Sequence, residues 1–210
     1  VQFGGQTPLK LARDLAAAGV PIIGTSAESI DVAEDRERFQ QLLTKLKLRQ
    51  PPNRTARSAE EAVKHAEDIG YPIAVKAAGG GGGKGFRVAE QPEKLQEAFE
   101  GAAREGEKFF SDDTVYLERY LPDPRHVEVQ VLADRLGSVI HLGERDCTIQ
   151  RRHQKLVEET PSPAVTPELR ARIGQIAVDA ARAAGYRSAG TIEGLLSPDG
   201  EYFFMEMNTR

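Results

Sequence analysis

The sequence predicts a mixed α/β fold, a small lid-like domain followed by a platform of antiparallel sheet, on three observations. Helix-like and strand-like patterns alternate through the first 120 residues. The stretch from His126 to Leu132 alternates with period two, Val127, Val129 and Val131 against His126, Glu128 and Gln130. The chain closes on two extended segments joined by Ser197-Pro198-Asp199-Gly200, the signature of a type I turn. The 210 residues allow one or two domains. No apolar run approaches the roughly 20 residues that span a bilayer. A formal net charge of -4 gives a nucleic-acid partner no bulk attraction. With Cys147 as the sole cysteine an internal disulfide is excluded, which suits a reducing, cytoplasmic setting.

Taken in order, Thr7-Pro8 supplies an N-cap and an N1 proline to a helix carrying Leu9, Leu11, Leu15 and Ala18, stopped by Gly19. Val20 to Gly24 reads as a short buried strand, and a charged helix follows over about 35–47. Pro51-Pro52 marks a linker, so residues 1–50 are expected to form a partial α/β subdomain. In the second block, 51–120, Ser58-Ala59-Glu60-Glu61 is a capping box that opens a helix to about Asp68. Tyr71 to Lys76 is a strand, Phe86 to Val88 its return, about 93–105 a helix, and Thr114 to Leu121 extended. The third block, 121–210, is expected to be the sheet platform, with a helix opened by Thr166-Pro167-Glu168 and closed by Gly185. The chain opens in a strand pattern at Gly4-Gly5 and stops at Asn208-Thr209-Arg210 without a turn or cap, as a piece of something larger would.

Gly79 to Gly83, followed by Lys84 and Gly85, is the strongest local signal. Consecutive glycines leave backbone N–H groups unobstructed, so such a loop can wrap phosphate oxygens. A strand enters this run and another leaves it, with Lys76 and Lys84 at its two ends, which favours a hairpin over phosphates against a flexible linker. The P-loop pattern is excluded, because Ala78 and Gly85 stand where it needs glycine and Ser/Thr.

The closing hairpin points to a metal. With the turn centred on Pro198-Asp199, residues whose numbers sum to 397 face one another. Glu193 then opposes Phe204, Glu206 is its diagonal neighbour, and Asn208 and Arg210 continue the same face. Tyr202 and Phe204 precede on that face, which argues against a merely solvated strand. Two carboxylates and an amide oxygen in such surroundings are costly to bury without a cation. Oxygen donors suit Mg²⁺, with Mn²⁺ as the alternative ion. Arg210 beside it could hold an anion bidentately. From Glu144 to Lys155 four basic residues and His153 crowd a dozen positions, which fits either a charged surface loop or a binder of triphosphate or a small anion.

At these residues the chain resembles the ATP-grasp superfamily. Gln2 to Ala12, Ile23-Gly24-Thr25-Ser26 and Ala33 to Phe39 look like a synthetase half of the carbamoyl-phosphate synthetase large chain. Lys76 to Gly83, Arg125 to Val131, Glu144 to Cys147, Gln150 to Lys155 and Glu206 to Arg210 look like biotin carboxylase. The combination resembles a chimera or a reconstructed ancestor of two families that both activate bicarbonate with ATP. The resemblance implies an ATP-grasp fold with ATP held by lid and platform together.

Carried over residue by residue, the resemblance puts Lys76 on phosphate and adenine, and Gly80, Gly81, Gly82, Gly83 and Lys84 over the phosphates. Glu118, Arg119 and Leu121 become the hinge at the adenine amine, His126 approaches the ribose, and Gln150 and His153 lie near the nucleotide. Arg36 reaches phosphate, Leu195 packs on adenine, and Glu193, Glu206 and Asn208 hold Mg²⁺. Lys155 and Arg210 are the expected catalytic pair, holding bicarbonate. In biotin carboxylases the bicarbonate base and a biotin-contacting arginine come from a stretch beyond the match. The expectation is therefore a slow, Mg-dependent, bicarbonate-activating ligase that does not carboxylate biotin. The alternatives are a nucleotide-binding module without turnover and an engineered or ancestral scaffold.

Overall fold

The computed structural model describes residues 7–78, 86–151 and 154–209, without the side chains of Thr7, Arg36, Glu37 and Phe110. The chain divides into two compact units. One comprises Val1–Arg49, Pro124–Ile149 and Val157–Arg210, and the other Gln50–Asp123 with Gln150–Leu156.

The first unit begins with a 3-10 turn, Thr7–Leu11, that runs into α1 (Ala12–Ala17). Two short helices follow. Ser26 caps α2 (Ala27–Glu34) by accepting the Ser29 N–H at 3.1 Å, and Asp35 caps α3 (Arg36–Lys45) by accepting the Arg38 N–H at 2.9 Å. The helix expected over 35–47 is α3, whereas α2 has no counterpart among the expectations. Val20 to Gly24 forms no strand. Ile23 is 75% exposed, and no described strand lies beside it to complete a ladder.

In the second unit β1 (Asn53–Ala56), β2 (Ile73–Ala77), β3 (Arg87–Ala89) and β4 (Val115–Arg119) form an antiparallel sheet in the order β1-β4-β2-β3. Two helices supply its core, α4 (Ala59–Ile69), capped by Ser58, and α5 (Pro92–Phe110), with proline in its first turn. Ala62, Ala66, Leu95, Phe99 and Ala102 pack on Ile73, Val75, Val115 and Leu117, each no more than 6% exposed. This burial fixes the strand that carries Lys76.

The platform returns to the first unit. β5 (Arg125–Ala133), β6 (Val139–Asp146), β9 (Ser188–Leu196) and β10 (Tyr202–Asn208) pair antiparallel in the order β10-β9-β5-β6. A two-stranded ribbon of β7 (Gln150–Arg151) and β8 (Gln154–Lys155) belongs to the other unit. Helix α6 (Pro167–Ala183), capped by Thr166, covers one platform face with Ile173, Ala177, Ala180 and Ala181, joined by Phe39 and Leu43 of α3. Val127, Val129 and Val131 point into that core, as alternation requires. The ring of Tyr202 lies flat on β9 at Gly194, where an added Cβ would sit 2.2 Å from its Cζ.

The β9–β10 register differs from the sum-of-397 expectation. Gly200 donates its N–H to Ser197 at 3.0 Å and takes φ +85°, the three-residue loop in which a type I turn is followed by a left-handed glycine. That extra residue moves the pairing to Tyr202↔Leu196 and Phe204↔Gly194. A β-bulge at Met205 then advances it again, to Glu206↔Glu193 and Asn208↔Thr191. Glu193 therefore faces Glu206 directly rather than Phe204. Tyr202 and Phe204 turn into the core, at 5% and 1% exposure, instead of sharing the face of Glu206. A bulge inserts one residue and inverts all later alternation on its strand.

Candidate functional site

The face of the platform turned away from α6 gathers five of the expected groups, Glu193, Glu206, Asn208, His126 and Leu195. Across four neighbouring strands, Glu206, Glu193, Glu128 and Arg145 lie on one rung, each paired in register with the next. Directly opposed residues of this kind have Cβ atoms about 4.5–5.5 Å apart. His126 and Leu195 pair one step along, and Asn208, Thr191 and Gln130 form the adjoining rung. Glu193 and Glu128 are buried, at 6% and 4% exposure, while Glu206 is exposed.

Each buried carboxylate has partners. His126 Nε2 lies 2.7 Å from Glu193 Oε2, and Asn208 Nδ2 donates to Glu193 Oε1. Arg145 Nε donates to Glu128 Oε1 at 2.5 Å, and both its terminal nitrogens donate to Gln130 Oε1 at 3.3 Å. Burial raises the Tyr202 hydroxyl well above its ordinary pKa, and the charges of Glu193 and Glu128 add to the shift. Two carboxylates and an amide on one face, with the amide nitrogen spent on Glu193, present hard oxygen donors of the kind Mg²⁺ selects.

On the opposite face, β6 is anchored by Glu144, which accepts a bidentate pair from Arg170 at 2.7 Å and the Ser162 N–H at 3.1 Å. Burial pushes the Glu144 carboxyl up, but the Arg170 hydrogen bonds, backbone N–H groups and guanidinium charge outweigh it and hold it below its ordinary value. Asp146 is likewise lowered against its burial, by Thr148, Ser162 and Arg125. These buried pairs hold β6 against the start of α6 and so fix Arg145 on the other face.

In the lid unit, Lys76 Nζ lies 2.9 Å from Glu118 Oε1, and over the rings of Phe86 and Tyr116 at 5.8 and 5.9 Å. Two expected nucleotide contacts thus meet. Arg119 packs its guanidinium over Gly70, where a Cβ would sit 2.8 Å from Nη1, and half-buried Leu121 follows the end of β4. Gln150 and Lys155 face each other across the β7–β8 ribbon, where a basic loop was expected. Gly80, Gly81, Gly82, Gly83, Lys84, His153, Arg210 and the Arg36 side chain lie outside the described residues.

Sequence reasoning missed three groups: Glu128, its partner Arg145, and Cys147. Among the described residues, ligand atoms of Glu128, Cys147 and Glu158 converge to within 4.8 Å of one another. The period-two pattern had already put Glu128 on the face of His126, which was the available signal.

The family model for the carbamoyl-phosphate synthase L chain, ATP binding domain, matches residues 35–210. The chain belongs to that family. Its relatives within this ATP-binding domain family include chloroplastic biotin carboxylase 2 of Populus trichocarpa, 48% identical over 91% of this chain and 37% of that protein. Biotin carboxylase of Nostoc sp. is 43% identical over 96% of this chain and 45% of its own length. The crystal structure of a biotin carboxylase–β-γ-ATP complex from Campylobacter jejuni superposes with a TM-score of 0.89 at 41% identity, over 96% of this chain and 46% of that one. The biotin carboxylase domain dimer of Hydrogenobacter thermophilus 2-oxoglutarate carboxylase, in complex with MgADP and bicarbonate, also gives 0.89, at 42% identity over 96% of this chain and 45% of that one. The fold is the ATP-grasp fold of these enzymes. The chain spans less than half the length of these relatives.

Proposed function

We propose that the chain is the nucleotide-binding part of a biotin-carboxylase-type enzyme, binding Mg-ATP and activating bicarbonate. A bicarbonate oxygen attacks the γ-phosphorus, the bond to the β-phosphate oxygen breaks, and ADP leaves as carboxyphosphate forms. The observation that carries this reading is the shared face of Glu206, Glu193 and Asn208, two carboxylates and an amide on adjacent strands. These three would hold Mg²⁺, or Mn²⁺ on the same oxygen donors, and the ion would neutralise charge on the phosphates.

The remaining roles are those that the resemblance implies. Lys76 and Glu118 meet the nucleotide, Lys76 at phosphate and Glu118 with Arg119 and Leu121 at the base. His126 approaches the ribose, Leu195 packs on adenine, and Gln150 and His153 lie close by. The glycine run and Arg36 reach phosphate, and Lys155 and Arg210 hold bicarbonate. Positioning and charge stabilisation supply most of such a transfer, which is what these residue types provide. Alignments with biotin carboxylases run over 91–96% of the chain, so we read one lineage here rather than a junction near residue 76. A single cysteine keeps a reducing compartment as the setting, and among the described residues no helix is long and apolar enough to cross a membrane.

The test is phosphate release from Mg-ATP in bicarbonate-depleted and bicarbonate-replete buffer. Because more than half of each relative's length lies outside these 210 residues, slow turnover is expected of them alone, raised by bicarbonate and without carboxylation of free biotin. Release equal to that of a Glu206→Gln, Arg210→Ala double variant, with Mg-ATP still bound, would leave a nucleotide-binding module.

A further inference from the structure

The polar rung has an uneven charge pattern. Three carboxylates on successive strands, Glu206, Glu193 and Glu128, end on one guanidinium, Arg145. A divalent cation could in principle settle at either end. The Glu128 end is the drier and carries as many donors, since Glu128 and Cys147 are 4% and 0% exposed and Glu158 converges on them. A lower local dielectric would make this end the deeper electrostatic well. A thiolate with two carboxylates also suits Zn²⁺ or Co²⁺ better than Mg²⁺.

Arg145 already occupies that end. Its Nε is 2.5 Å from Glu128 and 3.8 Å from Glu158, and its terminal nitrogens are tied to Gln130. A guanidinium stays charged at every working pH and is too bulky to be shared with an ion in the same cluster. We propose that Arg145 is a positioning residue, a built-in cation that keeps Glu128 out of the metal's ligand set. It confines the divalent ion to the Glu193–Glu206–Asn208 end and keeps the neighbouring thiol site closed to softer metals. The inference rests on the metal-binding reading above and adds to it where the ion is excluded and by what.

The test uses the 210-residue chain with four substitutions, Arg145→Gln, Arg145→Lys, Glu128→Gln and Cys147→Ser, without nucleotide. Mn²⁺ binding is followed by electron paramagnetic resonance, and Co²⁺ binding by the near-ultraviolet thiolate-to-cobalt charge-transfer band. Arg145→Gln should gain that band with an increase of about tenfold or more in Co²⁺ affinity, in the range of outer-shell effects on metals. The band should vanish when Glu128→Gln or Cys147→Ser is added, and Arg145→Lys, which keeps a cation, should show none. Glu128→Gln alone should leave Mn²⁺ affinity within about threefold of the parent. If Arg145→Gln does not fold, that last measurement decides, and a tenfold loss of Mn²⁺ binding makes Glu128 a ligand and overturns the proposal. A folded Arg145→Gln protein without the band overturns it as well. Failure of the parent to bind Mn²⁺ at all would instead count against the metal reading beneath it.

Discussion

Replacing Lys76 by methionine separates ligand binding from folding. The side chain is 28% exposed, its ammonium is paired with Glu118 at 2.9 Å, and it lies over Phe86 and Tyr116. Methionine keeps most of the apolar stem on the two rings and removes only the charge. A partly exposed ion pair contributes about 0–1 kcal/mol, so the fold should lose no more than about that. A charge-assisted hydrogen bond to phosphate is worth about 1.5–3 kcal/mol. On that figure Mg-ATP should bind about 10–150-fold more weakly, since each 1.4 kcal/mol is tenfold. The lower end applies if the ammonium must leave Glu118 to reach the ligand, because one charged contact is then exchanged for another. Isothermal titration with Mg-ATP, beside urea unfolding of both proteins, measures the two quantities independently. Affinity within twofold of the parent, with lowered stability, would make Lys76 a purely structural partner of Glu118 and refute the reasoning.

Two further outcomes are expected. Glu206→Gln should leave stability within about 0.5 kcal/mol, as an exposed substitution does, yet abolish the Mg²⁺ dependence of nucleotide binding. A parent-like magnesium response in titrations would withdraw the metal assignment. Glu144→Gln should destabilise the platform by about 1.5–3 kcal/mol, because a buried carboxylate bonded to Arg170 loses its charge. Its pH signature follows from the lowered values of Glu144 and Asp146, ordinarily 4.5 and 3.8. The folded state binds fewer protons than the unfolded one in acid, so this stability is complete above about pH 5 and lost as pH falls through the folded values. Urea midpoints measured downward from pH 6 should fall less steeply in Glu144→Gln, and identical slopes would exclude Glu144 as a source.

Much of this was legible in the residues. The capping box at Ser58, the valine alternation in β5 and the Thr166–Gly185 helix are local patterns, and local patterns are what a sequence displays directly. The helix α2 was hidden because its buried apolar residues, Ile30 and Ala33, are few and its N-cap Ser26 follows an irregular stretch. The strand expected at Val20–Gly24 failed for a nonlocal reason, since a short apolar run becomes a strand only beside a partner. The acidic face was reached by a register that the structure corrects. Alternation from Glu206 to Asn208 was sound, but the facing residue depended on Gly200 and Met205, whose irregularities no pairing rule reveals. Arg145 was invisible because a guanidinium in a charged stretch looks the same whether it meets water or a buried glutamate.

The two irregularities of the last hairpin bear on how this region can change length. Twelve residues separate Glu193 from Glu206, and the pair is brought together by one extra residue at Gly200 and another at Met205. Each of these is a residue outside the ladder, so removing it can leave the pairs on either side in place. Without Met205, Glu206 follows Phe204 directly, still faces Glu193, and Met207 stays inside. Without Gly200, Ser197 and Glu201 can still close a two-residue turn. A residue lost from within the paired stretch would instead swing a core side chain such as Phe204 to the other face. Single-residue gaps in functional descendants should therefore fall at Gly200 or Met205, the two places where the hairpin can change length without parting its carboxylates.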